Sequence, residues 1–150
     1  MHQTQSKTRD TLNQLKDAGL VAASAAGSVG GQPAVVDFGN SAAFAEFGIV
    51  INWSACEADG SEVYRVEAQV SATTDFSTFY VIAERRFGVL TGQASNTPPT
   101  GCAILRASNV VLTSPTAGTA SSPMRYLRVF CTVSGAPATG FNYTAELIRN

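Results

Sequence analysis

Between Arg125 and Ile148 the chain alternates apolar and polar residues in two runs. Leu127, Val129, Cys131 and Val133 share one parity in the first, and Phe141, Tyr143, Ala145 and Leu147 share one parity in the second. Successive side chains of a strand point to opposite faces, so each run presents one continuous apolar face. The residues between them, Arg128, Thr132, Asn142, Thr144 and Glu146, are polar, as expected where the other face meets water or a partner. Gly135, Pro137 and Gly140 interrupt the pattern. The segment reads as an antiparallel strand pair joined by a loop longer than a tight hairpin requires. Leu127, Val129, Val133, Phe141, Tyr143 and Leu147 are expected to face inward, and a shift of one residue would reverse every one of them.

The same period recurs upstream. Ala34 to Phe38 is a short candidate strand, and Phe47, Ile49, Ile51 and Trp53 share a face in the next. The longest clean alternation runs from Glu62 to Ala72. It places Tyr64, Val66, Ala68, Val70 and Ala72 inward, and Arg65, Glu67, Gln69 and Ser71 outward. Residues 76–87 are apolar on both parities, which suits a strand covered on both faces, for instance by a neighbouring subunit. Cys102 to Arg106 and Val110 to Thr113 are shorter candidates flanked by Gly, Pro, Ser and Thr-rich loops. About eight strands at regular spacing, with no amphipathic helix between them, predict an all-β fold: an antiparallel β-sandwich or jelly roll.

Residues 1–33 look different. Thr8 or Asp10 caps a predicted short helix, with Leu12, Leu15 and Leu20 as a narrow apolar stripe. Asp10 and Asp17 break up what would otherwise resemble a signal peptide. Gly27, Gly30, Gly31 and Pro33 then form a linker about which the segment could swing. The expected organisation is an N-terminal arm and linker over residues 1–33 and a β-sandwich domain over residues 34–150. The arm's leucines are read as a contact with something outside the domain.

Composition narrows the function. The formal net charge is −1, which leaves no basic footprint for nucleic acid. Only 14% of residues are charged, and Ala, Gly, Ser and Thr fill the gap. Such a surface suits a chain that packs against other chains; an ordinary Ser/Thr-rich secreted β protein is the plainer reading. No run reaches the roughly 20 apolar residues of a helical membrane span. Cys56, Cys102 and Cys131 are scattered and odd in number, and the only histidine is His2. We therefore expect no zinc site and no cofactor, a buried thiol at Cys131, and a reducing compartment, with a Cys56–Cys102 disulfide as the alternative.

Catalytic motifs are missing from the sequence. There is no Gly-x-Ser-x-Gly, no phosphate-binding glycine loop and no His-Glu-x-x-His. Glu62 and Glu67 are the carboxylates best placed on a strand, and both are expected on a solvated face. Arg85-Arg86 is the one adjacent basic pair, placed either at a solvated strand end or against a partner's acidic patch. The chain is accordingly read as a non-enzymatic structural or binding module. Its candidate partner-binding residues are Leu12, Leu15, Leu20, Phe79, Arg85 and Arg86.

One resemblance bears on this. Arg125-Tyr126-Leu127-Arg128-Val129, Cys131-Thr132-Val133-Ser134-Gly135, Thr139-Gly140-Phe141 and Tyr143 to Ile148 resemble the end of the jelly-roll cement (decoration) proteins of Bordetella phage and similar tailed phages. So does Asp17 to Ala26, followed by Val35-Val36-Asp37-Phe38-Gly39. The resemblance covers most of residues 17–148 through the order and spacing of strands. It implies a jelly roll on the outer surface of a virion head, made in the host cytoplasm. The implied partners are the major capsid protein and further copies of the chain, as a homo-dimer or homo-trimer, with neither nucleic acid nor membrane. The resemblance carries no catalytic residue. The competing readings are another virion β module, such as a head-fibre base or tail component, and a secreted carbohydrate-binding sandwich.

Overall fold

The computed structural model describes residues 13–39, 46–112 and 121–149. Six short strands come first: β1 (Gln14–Lys16), β2 (Leu20–Val21), β3 (Ala25–Ala26), β4 (Ser28–Val29), β5 (Gln32–Pro33) and β6 (Val36–Asp37). The long strands are β7 (Glu46–Cys56), β8 (Val63–Ser71), β9 (Tyr80–Gly88) and β10 (Gly101–Ser108). The short β11 (Val110–Leu112) and β12 (Ser121–Pro123) precede the final pair, β13 (Tyr126–Ser134) and β14 (Phe141–Arg149).

The strands form two main antiparallel sheets. The first has the order β1-β14-β7-β10, with β2 also on β14. The second has the order β3-β13-β8-β9, with β6 also on β13. Their apolar faces meet in one core, an arrangement consistent with a β-sandwich. Phe47, Ile49, Ile51, Trp53, Tyr143, Ala145 and Leu147 come from the first sheet; Tyr64, Val66, Ala68, Val70, Leu127, Val129 and Cys131 come from the second. An aromatic cluster fills one end: Phe141 lies 4.9 Å from Phe87, 5.0 Å from Tyr143 and 5.2 Å from Tyr64, centroid to centroid. Pairs at these separations add attraction beyond the area they bury.

The predicted register holds in both C-terminal strands. Leu127, Val129, Phe141, Tyr143 and Leu147 are buried and Val133, near the end of its strand, is partly buried against the core, while Arg128 and Thr132 keep partial exposure. Their pairing does not hold. β13 and β14 lie in opposite sheets, and the loop 135–140 crosses from one to the other. Alternation tells which face of a strand is apolar, and that face points to the core whether two strands pair side by side or face each other across it.

The N-terminal segment also departs from expectation. The predicted helix is not found among the described residues: Gln14–Lys16 is a strand on β14, with Gln14 opposite Glu146. The proposed caps and Leu12 lie outside the described residues. From β1 and β2 on one sheet the chain passes to β3 and β6 on the other, so residues 14–37 are stitched into both sheets. Gly27 is no hinge. It is buried, donates its N–H to the Val129 carbonyl at 2.9 Å, and has no room for a side chain: a Cβ would stand 2.7 Å from Val129 Cγ2. Gly30 and Gly31, both at positive φ (59° and 78°), form the turn between β4 and β5.

Candidate interaction surface

The outward face of the second sheet was expected to be solvated. Instead Glu67 is 4% exposed, Gln69 2% and Ser71 0%. A buried polar group is tolerated when its hydrogen-bonding capacity is met, and here a chain of side chains meets it. Arg65 Nε lies 2.7 Å from Glu67 Oε1 and 3.6 Å from Glu84 Oε2. Gln69 Nε2 donates to Glu67 Oε2 at 2.7 Å, and Thr132 Oγ1 approaches Glu67 Oε1 at 3.5 Å. Arg128 Nε donates to Gln69 Oε1 at 2.9 Å. Arg128 and Gln69, and Thr132 and Arg65, stand directly opposite one another on β13 and β8. Opposed residues share a face, so the register assembles the network.

The connection 72–79 is knotted to the end of the same sheet. Ser71 Oγ donates to the Thr78 carbonyl at 2.7 Å, and the Thr73 amide donates back to Ser71 Oγ at 3.1 Å. Asp75 Oδ1 accepts from Thr73 Oγ1 and from the Ser77 amide. These donors hold the Asp75 carboxyl below its ordinary range, the Thr73 hydroxyl contributing most. Between them Phe76 adopts φ 52°, a left-handed conformation uncommon for a non-glycine residue, and its ring is buried. The Arg128 guanidinium carbon lies 4.3 Å from the Phe76 ring centre, 5.2 Å from Phe130 and 5.8 Å from Phe79.

Next to this cluster runs β9, the edge of the sheet among the described residues. Phe79, Tyr80 and Val81 are 43%, 43% and 44% exposed, three consecutive large apolar residues. The segment 76–87 is therefore covered at its ends, where Phe76 and Phe87 are buried, and open at Phe79–Val81. A nine-residue edge strand with exposed apolar residues is a template for another chain.

The predicted contact residues scatter. Leu15 is 0% exposed, inside the protein's own core, because its strand is held against β14. That corrects its expected role on an outside groove. Leu20 is 58% exposed on β2 at the first sheet. Phe79 stands just before β9, which carries Arg85 and Arg86, both exposed; Arg85 lies 6.0 Å from the Phe87 ring centre. Only these last three share an edge. Sequence reasoning named Phe79 but missed Arg128, Phe76 and Phe130 around it; the one signal was an arginine among outward-facing polar residues on a strand.

Other polar features serve the fold. Glu57 accepts the amides of Ala138, Thr139 and Gly140, which hold its pKa down to about 2 and tie the crossover loop to the end of β7. Glu57, Asp59 and Glu62 place carboxylate oxygens within 4.8 Å of one another, and Glu62 accepts the Gly60 amide at 2.9 Å. All three cysteines are free thiols.

No family model matches the chain, and no curated protein matches it.

Proposed function

We propose that this protein is a cement (decoration) protein of a tailed-phage head, a jelly-roll module that binds the outside of the shell and clamps neighbouring major capsid protein subunits. One observation carries the reading: a well-packed sandwich in which the nine-residue strand β9 ends its sheet, with no further strand on it among the described residues, beside exposed Phe79, Tyr80 and Val81. The sequence resemblance over residues 17–148 supplies the kind of partner. A shell under internal pressure gains from many copies of a small β module, since each oligomer touches several subunits at once and linked weak contacts act together. The role needs no catalytic group, and a surface poor in charge suits it. In this reading the chain forms a homo-oligomer, with β9 at the contact between copies or with the capsid.

Quantitative mass spectrometry of purified virions that carry this gene tests the proposal. Hundreds of copies per particle are expected. A handful of copies would assign the chain to a fibre or tail part, and none would remove it from the virion.

A further inference from the structure

Three carboxylates meet where the chain passes from β7 to β8. In the run Glu57-Ala58-Asp59-Gly60-Ser61-Glu62, each acidic residue supplies one oxygen, and these oxygens lie within 4.8 Å of one another. None of the three residues pairs with a lysine or arginine among the described residues. Asp59 is exposed, but Glu62 is only 6% exposed. Its Oε2 accepts the Gly60 amide, and its Oε1 accepts no hydrogen bond. Gly60 keeps that oxygen clear, since a Cβ there would stand 2.6 Å from it. A buried anion beside two others calls for a cation.

A second observation, from outside the cluster, points the same way. Tyr64 follows Glu62 on β8, is 0% exposed, and its hydroxyl has no hydrogen-bond partner. Its ring stacks on Phe141 at 5.2 Å, and Phe141 pairs with Cys56, the residue before Glu57. The hydroxyl is thereby carried to the core side of the carboxylates, and Glu57 and Glu62 both act on it electrostatically. A buried hydroxyl without a partner is uncommon, and an ordered water is the usual remedy.

We propose that Glu57, Asp59 and Glu62 bind a calcium ion, one of whose waters bonds to the Tyr64 hydroxyl. Donor type and spacing select this ion. Calcium bonds oxygen at about 2.3–2.6 Å, so two of its ligand oxygens stand at most roughly 5 Å apart, a limit the cluster meets. Magnesium, at about 2.0–2.1 Å, spans less and gives up its waters reluctantly. Zinc prefers nitrogen and sulfur. A groove of about 530 Å³, lined by Glu57, Asp59, Asn96, Thr97 and Thr139, gives a hydrated ion access. Glu57 also holds the 138–140 amides, so the ion ties the β7–β8 connection to the crossover loop. The site goes beyond the capsid role and does not depend on it.

The test uses the full chain stripped with a chelator, then titrated with calcium chloride or magnesium chloride by calorimetry and thermal melting. Calcium should bind once, with a Kd of about 0.1–1 mM, and raise the melting temperature by a few degrees at about 10 mM. Magnesium at the same concentration should do neither. Asp59→Asn, at an exposed position with no hydrogen bond, should melt like wild type in chelator and bind calcium about tenfold more weakly. Glu62→Gln, which keeps an acceptor for the Gly60 amide, should lose binding. Glu46→Gln, at the far end of β7, should keep it. Calcium should move the ring resonances of Tyr64 and leave those of Tyr126, at the other end of the sandwich, in place. No calcium binding by about 10 mM overturns the proposal. So does an Asp59→Asn variant that binds as tightly as wild type, which leaves an adventitious ion only, or an equal response to magnesium. If Glu62→Gln fails to fold, Asp59→Asn and the Tyr64 resonances decide the matter alone.

Discussion

Lys16 and Tyr143 are joined twice: the lysine Nζ donates to the Tyr143 carbonyl at 3.0 Å and sits 4.5 Å from the centre of the tyrosine ring. Two more carbonyls, those of Asp17 and Gly19, complete the ammonium's three donors at 2.8 and 3.1 Å. Lys16 is 6% exposed, and burial pulls its pKa below the ordinary lysine value. A nearly buried ammonium persists because its hydrogen bonds are complete. The contact fastens the start of the described chain to the last strand of the first sheet.

This makes the N-terminal segment part of the fold. Leu15→Ala should cost about 3 kcal/mol, the usual range for emptying a buried leucine site. Deleting residues 1–20 removes both Leu15 and Lys16 and should lower the urea midpoint far more than deleting residues 1–12. Equal midpoints for the two truncations would show that β1 adds nothing to the core.

Acid should loosen two ties. Asp37, paired with Arg125 at 2.8 Å, and Glu57, bound by the 138–140 amides, are both held down to about 2, from ordinary values of 3.8 and 4.5. A carboxylate depressed in the folded state stabilises fully above its unfolded pKa and loses that contribution as pH falls through its folded one. Stability should therefore decline from about pH 4.5 towards about pH 2. Glu57→Gln should lower stability at neutral pH and flatten the decline. A variant with the wild-type pH profile would remove Glu57 from the account.

The thiols should separate by reactivity. Cys102 is exposed; Cys131 is fully buried and pushed up to about 12 by burial, and Cys56 is raised to about 11 by the same cause. The thiolate is the reactive form. A chromogenic disulfide reagent at neutral pH should modify Cys102 quickly, Cys56 slowly and Cys131 only on unfolding. Prompt reaction of Cys131 in native buffer would contradict the packing described.

The open edge predicts association. Phe79→Asp replaces an exposed ring, so it should weaken self-association in light scattering while leaving the melting temperature nearly unchanged. Wild-type protein that stays monomeric at micromolar concentration would count against a homo-oligomer built on β9.

How much of this was legible follows from what a period of two can encode. Alternation located β7, β8, β13 and β14 and their inward residues, because burial of one strand face is a local signal. It could not say that β13 and β14 face each other across the core, since that depends on which distant strand each one pairs with. Leu15 sits in a strand of three residues, too short for any period, and Lys16 is held by main-chain carbonyls that leave no trace in side-chain pattern. Glu67 and Gln69 have the parity of solvated residues. Their burial depends on Arg65 two positions away and on Arg128 and Thr132 some 60 positions away, partners that only the register between β8 and β13 identifies. The Arg128 site has the same origin, with Phe76 held in a rare backbone conformation in a turn whose sequence marks it only as a turn.

The central claim is that the chain covers a capsid exterior. Phage heads lacking this protein, incubated with the purified full chain and imaged by cryo-electron microscopy, test it most directly. The account predicts added sandwich-sized density on the outer surface at every equivalent junction between capsid subunits, with heads that withstand heating better than bare ones. Bare capsid lattices after incubation, or density confined to the tail vertex, would contradict it.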